Sequence, residues 1–199
     1  MLRLVAIAAK LWFYRNWMYA GLVAGLFLLA VLPLLGGQWS WAMVAVYLQL
    51  PTYMLHQVEE HAGDRFRRYI NRSVAGVPDA LTTLAVVVVN VPLVWGVDLL
   101  SIYLARFVAI GWGLIAIYLM LVNAVVHIVA AVAKRAYNPG LVTAVLLFLP
   151  LSIWGLVAVS GTPGVTIVQH AVGLGAAVVL HAALAAHVLR RARRLRAAD

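Results

Sequence analysis

The sequence predicts an all-α protein: a polytopic bundle of about six transmembrane helices in three hairpins, preceded by an interfacial amphipathic helix. Three observations carry this reading. Of the 199 residues, 65% are hydrophobic and 11% charged, and the mean hydropathy is +0.99, outside the range of soluble domains. Runs of roughly 20 apolar residues, the length that crosses a bilayer, recur near 17–35, 39–61, 80–99, 106–133, 139–160 and 165–189. The connections between them alternate between nearly uncharged and strongly basic.

Segment 1–16 places Leu4, Ile7 and Leu11 on one side, with Arg3, Lys10 and Arg15 spread between. That pattern fits a helix lying in the membrane interface, and no small-residue cleavage site follows that would mark a signal peptide. The turns at Gly36-Gly37-Gln38, at Asp98 to Ser101 and at Gly161-Thr162-Pro163-Gly164 carry almost no positive charge. The opposite side holds Arg65, Arg67, Arg68 and Arg72, then Lys134 and Arg135, then the arginines of a basic tail at 190–199. By the positive-inside rule both termini are cytoplasmic. Size and an alanine- and arginine-rich composition point to a bacterial inner membrane. The net charge of +9 flanks apolar spans, which suits anionic lipid headgroups as partners and not nucleic acid. The absence of cysteine excludes disulfides, thiolate chemistry and cysteine-bound zinc. The chain reads as one transmembrane domain over 1–199, without linkers.

The informative feature is His56-Gln57-Val58-Glu59-Glu60-His61, which closes an apolar run uncharged from Trp39 to Leu55. Ionisable groups at membrane depth are costly unless they pair, bind a metal or face a wet cavity. All six histidines lie on the even-numbered spans. Counted back from the basic anchors at ~1.5 Å per residue, His56, His127 and His181 share one depth, about 10–14 Å inside the boundary. His61 and His187 fall at the interface and His170 near the outer face. Successive residues turn by ~100° on a helix, so Glu59 and Glu60 flank His56 on one arc while His61 points away. Asn123 lies one turn from His127 and can orient it by hydrogen bonding. Asn138-Pro139-Gly140 reads as a helix start, at which free amides near Asn138 and Gly140 can hold an anion.

These residues resemble the HXXEE family of membrane proteins. His56-x-x-Glu59-Glu60 matches its defining motif and Asn123-x-x-x-His127 a second element. His181 is the best candidate for a further family histidine, and Tyr137-Asn138-Pro139-Gly140 with Thr143 is also similar to the family. The resemblance covers the second to the last span. It implies a site and a membrane bundle, and no established substrate.

The chemistry expected first is a divalent metal, zinc favoured and iron possible, held by His56, Glu60, His127 and His181. Glu59 then serves as the base for a bound water, although the two glutamates could exchange roles. The expected reaction is hydrolysis of a lipid-like or amphiphilic substrate near the cytoplasmic leaflet. Three deep histidines and two glutamates are too few for a di-iron centre. Mononuclear iron or haem oxidation, a proton-coupled transporter or relay, and a structural subunit whose polar pairs lock helices are the alternatives.

Overall fold

The computed structural model describes residues 2–198, with side chains from residue 12 onward, and those residues form helices and turns without a strand. Helix α1 runs unbroken over Leu2–Gly36. At about 1.5 Å per residue it exceeds the ~30 Å hydrocarbon core of a bilayer. From residue 2 onward, the interfacial segment expected at 1–16 is continuous with the helix of the first span. The apolar and basic faces assigned to it rest mostly on side chains outside the described ones.

Helix α2 covers Trp41–His61, with the Ser40 hydroxyl accepting from the Met43 amide at 3.2 Å as its cap. A turn at Ala62–Asp64 leads into the short α3, Arg65–Tyr69. Helices α4 (Thr83–Phe107), α5 (Ile110–Lys134), α6 (Leu141–Ser160) and α7 (Ile167–Arg196) complete the bundle. Among the described residues, α1 from Trp12 onward and α4 to α7 are the five helices long and apolar enough to cross a membrane.

The sixth long helix, α2, is set apart by polarity. Gln49, Thr52, His56, Gln57, Glu60 and His61 on it are all buried. It packs against α1, α4, α5 and α6, so protein surrounds most of it, and several of its polar side chains find partners on other helices. Gln57, for example, donates to Asn90 at 3.0 Å and accepts from the Trp95 indole at 2.7 Å. That contact draws Trp95 to the site's half of the bundle.

One turn is displaced from its expected place. The connection assigned to Asp98–Ser101 lies inside α4, and the chain turns at Val108 and Ala109, whose amides both donate to the Leu104 carbonyl at 3.0 Å. Asp98 interrupts the apolar run and so resembles a turn residue, yet it is fully buried. Ser101 satisfies its hydroxyl within the helix, donating to the Val97 carbonyl at 2.7 Å. The irregularity of α4 falls further back, in a π-helical stretch at Val89–Trp95 around Pro92, which lacks an amide to donate.

At the basic end, α7 stays helical through Arg196, so the expected tail is largely its last turns. Arg67 pairs with Asp64 and Asp79. Arg191 donates to the Asp79 carbonyl at 2.7 Å and Arg196 to the Ala75 carbonyl. The end of α7 is thereby tied to the loop between α3 and α4.

Candidate metal centre

The last two turns of α2 bring His56, Glu60 and His61 into the bundle next to His127 of α5. His56 is 0%, Glu60 4% and His127 4% exposed, so none of the three is hydrated from bulk water. His56 Nε2 lies 3.6 Å from Glu60 Oε2, and His127 Nε2 lies 3.5 Å from Glu60 Oε1. One donor atom from each of His56, Glu60 and His127 falls within 4.8 Å of the others. Zinc bonds of ~2.0–2.2 Å in a tetrahedral shell place neighbouring donors about 3.3 Å apart, so this set can hold a metal ion with small closure. His56 Nε2 has no hydrogen-bond partner, a costly state for a buried nitrogen that an ion would relieve.

Both imidazoles are fixed from behind. The Thr143 hydroxyl donates to Glu59 Oε2 at 2.5 Å, so its oxygen accepts from His56 Nδ1–H at 2.7 Å. The Asn138 side-chain amide donates to the His127 carbonyl at 2.9 Å, which turns Oδ1 toward His127 Nδ1–H at 2.6 Å. With Nδ1 protonated in each ring, the Nε2 lone pairs face Glu60. Pinning the far nitrogen in this way is how proteins select the tautomer of a metal-binding histidine.

The beginning of α6 supplies most of this scaffold. Phe148 stacks on His56 with centroids 4.2 Å apart, and Thr143 touches the same ring. These residues are five apart, and the helix is π-helical over Ala144–Phe148; an i→i+5 turn brings such positions onto one face. Gly140 adopts φ 99°, and a Cβ there would stand 2.7 Å from His127 Cε1 and 2.8 Å from His56 Cε1. Only glycine lets the chain approach both rings this closely.

Several expected roles change. Glu59 does not face the cluster. Its Oε1 accepts from the Tyr137 hydroxyl at 2.8 Å and the Val142 amide at 3.1 Å, and its Oε2 from the Thr143 amide at 2.7 Å and the Thr143 hydroxyl. Four donors leave this carboxylate engaged, so it is not a free base. Burial and the adjacent carboxylate hold the Tyr137 phenol above its usual range, which keeps it a donor. The amides that meet an anion at this helix start are those of Val142 and Thr143, not of Asn138 or Gly140, and the anion is Glu59. The Asn138 side chain is spent on His127.

Asn123 does not orient His127. Its side-chain amide donates to the Tyr53 hydroxyl at 2.9 Å, and His127 Nδ1 is engaged by Asn138 instead. His181 turns Nδ1 to the Ala177 carbonyl at 2.8 Å and lies outside the three-residue set, although it lines the cavity beside it.

His61, read from sequence as interfacial, is 3% exposed, with Nε2 2.9 Å from Glu60 Oε2 and its ring 5.1 Å from that of Trp17. It is the last residue of α2, with φ −109° and ψ −16°, and the chain leaves the helix beyond it, with φ 64° at Gly63.

A bundle of long apolar helices enclosing a His–Glu–His cluster defines an all-α membrane protein with a candidate metal site. The chain belongs to the family described as protein of unknown function with HXXEE motif, whose model matches residues 47–155. The three cluster residues, Glu59, Asn138, Gly140 and Thr143 all fall inside the match, and His181 lies beyond it. No curated protein and no solved structure matches the chain.

Proposed function

We propose that this protein is a mononuclear metalloenzyme of the membrane, with His56 Nε2, His127 Nε2 and the Glu60 carboxylate as ligands. The observation that carries the proposal is the pair of imidazoles whose far nitrogens are pinned by Thr143 and Asn138 while their free lone pairs meet one buried carboxylate. A zinc ion there would activate water for hydrolysis. His61, whose Nε2 lies 2.9 Å from Glu60 Oε2, would take the proton in this reading. The substrate is amphiphilic, since the site is reached from an apolar cavity at membrane depth.

The ligand set also supports a second reading. Two histidines and one carboxylate with open positions are the facial triad of non-haem iron oxygenases, so the metal's identity separates hydrolysis from oxidation. The basic end, with the site near it, faces the cytoplasm of a bacterial inner membrane in this proposal. Arg190 and Arg194, beside His187, then meet anionic headgroups.

Elemental analysis of purified wild type beside His127→Ala, Glu60→Gln and His181→Ala tests the site. The expected result is one equivalent of zinc (or iron, for the second reading) in wild type and His181→Ala and none in the other two. A folded wild type that takes up neither metal would end the proposal.

A further inference from the structure

The candidate site opens onto a cavity of about 480 Å³, within the usual range of small-molecule sites. Its shape follows from the helices that line it. Along α5 the lining runs from Leu119 through His127 to Lys134, and along α7 from Leu180 to Leu189. At ~1.5 Å per residue the α5 edge is about 22 Å long. His127 divides it into a stretch of about 10 Å toward Lys134 and one of about 12 Å toward Leu119.

The two stretches differ in character. Lys134, at the mouth, is exposed, with its ammonium 5.5 Å from the Tyr69 ring centre and donating to the Ser73 carbonyl. The inner end is closed by Val94 and Leu119, with Tyr53 and Leu180 beside them. Val94, Leu119 and Tyr53 belong to one buried cluster. A ligand that reaches Glu60 and His127 from Lys134 and continues inward meets a mostly apolar lining that ends against this cluster, with Asn90 and Asn123 the polar side chains along it.

The geometry points to a single-chain aliphatic amphiphile as the substrate class, with the inner stretch acting as a gauge of chain length. This inference rests on the metalloenzyme reading for the reaction, and the gauge itself requires no metal. With C–C bonds of ~1.52 Å and angles of ~111°, an extended chain advances about 1.25 Å per methylene. Twelve ångströms then holds roughly ten methylenes beyond the polar carbon. The lipid bilayer is as apolar as the cavity, so entry brings little transfer gain. Selectivity accordingly appears as a cut-off and not as a steady rise with length.

The test is native mass spectrometry of the full chain in nanodiscs with an equimolar series of saturated fatty acids from octanoate to stearate. The wild type should retain one acid, with near-equal occupancy up to dodecanoate and at least a tenfold drop by palmitate. Leu119→Phe and the partly exposed Leu180→Trp should each move the cut-off to shorter acids. An unchanged length profile in both variants, or occupancy that rises smoothly to stearate, overturns the gauge. Repeating the series on chelator-treated wild type keeps the two proposals apart. A preserved cut-off upholds the gauge whatever the elemental analysis finds, and a cut-off lost with the metal refutes the cavity as its cause.

Discussion

Gly140→Ala is the sharpest perturbation of the site, because the added methyl strikes both imidazoles at once. The new Cβ would stand 2.7 Å from His127 Cε1 and 2.8 Å from His56 Cε1, where ordinary contact begins near 3.4 Å. Relief requires each ring to retreat by about 0.6–0.7 Å, several times the roughly ±0.2 Å that a metal–ligand distance tolerates. The rings cannot retreat freely, since Thr143 and Asn138 hold their far nitrogens at 2.7 and 2.6 Å. Alanine at φ 99° adds a backbone cost of about 1–2 kcal/mol. The expected outcome is at least a tenfold loss of zinc affinity, read by calorimetric titration of chelator-stripped protein, together with a lower melting temperature in detergent. Gly63→Ala is the control: φ is 64° and nothing lies within 4 Å of its Cβ, so it carries the backbone cost without the clash. Zinc affinity within about threefold of wild type in Gly140→Ala, below the ~1.4 kcal/mol of a tenfold change, would refute the wedge argument.

Three further outcomes follow from the same geometry. Asn138→Ala removes both the His127 Nδ1 acceptor and the tie to the His127 carbonyl, and should weaken metal binding about 10–100-fold by the same titration. Glu59→Gln turns an amide N–H toward donors that now meet a carboxylate, and should destabilise the protein by about 1–3 kcal/mol in chemical denaturation while some metal binding survives. Asp98 is fully buried, and neither carboxylate oxygen has a hydrogen-bond partner among the described residues. Asp98→Asn should therefore raise the melting temperature, and a fall would show that the carboxylate has a stabilising partner.

The bundle was legible because a bilayer demands about 20 apolar residues per crossing, a constraint strong enough to survive in one sequence. It failed at Asp98, where one charge within an apolar run has the same local signature whether it caps a turn or enters a core. The ligands were legible through depth: counting from basic anchors put His56 and His127 on one level, and both are in the cluster. Depth says nothing of direction, which is how His181 passed the same test and yet turns its Nδ1 to its own backbone. The wheel angles placed both glutamates near His56 but could not show that the first amides of α6 compete for Glu59. Asn138 was missed as the partner of His127 because that contact joins a helix to a loop eleven residues away, beyond any helical periodicity.

The adjacent glutamates divide two tasks that a single carboxylate could not combine. Glu60, with imidazoles on both oxygens, is the group a metal would bind. Glu59 points about 100° away on the helix and anchors the end of α2 to the first turn of α6. That anchor sets Thr143, and Thr143 sets the tautomer of His56, so a residue outside the cluster governs a donor inside it. The same short stretch of chain delivers Asn138 to His127 and sets Gly140 against the Cε1 edges of both rings. Both hydrogen bonds that pin the imidazole Nδ1 atoms therefore come from Asn138 and Thr143, at the start of α6, while α5 contributes His127. A site built this way depends on the docking of α2 onto α6 more than on the packing of α5. Substitutions at that docking surface should disturb metal binding before they disturb the bundle.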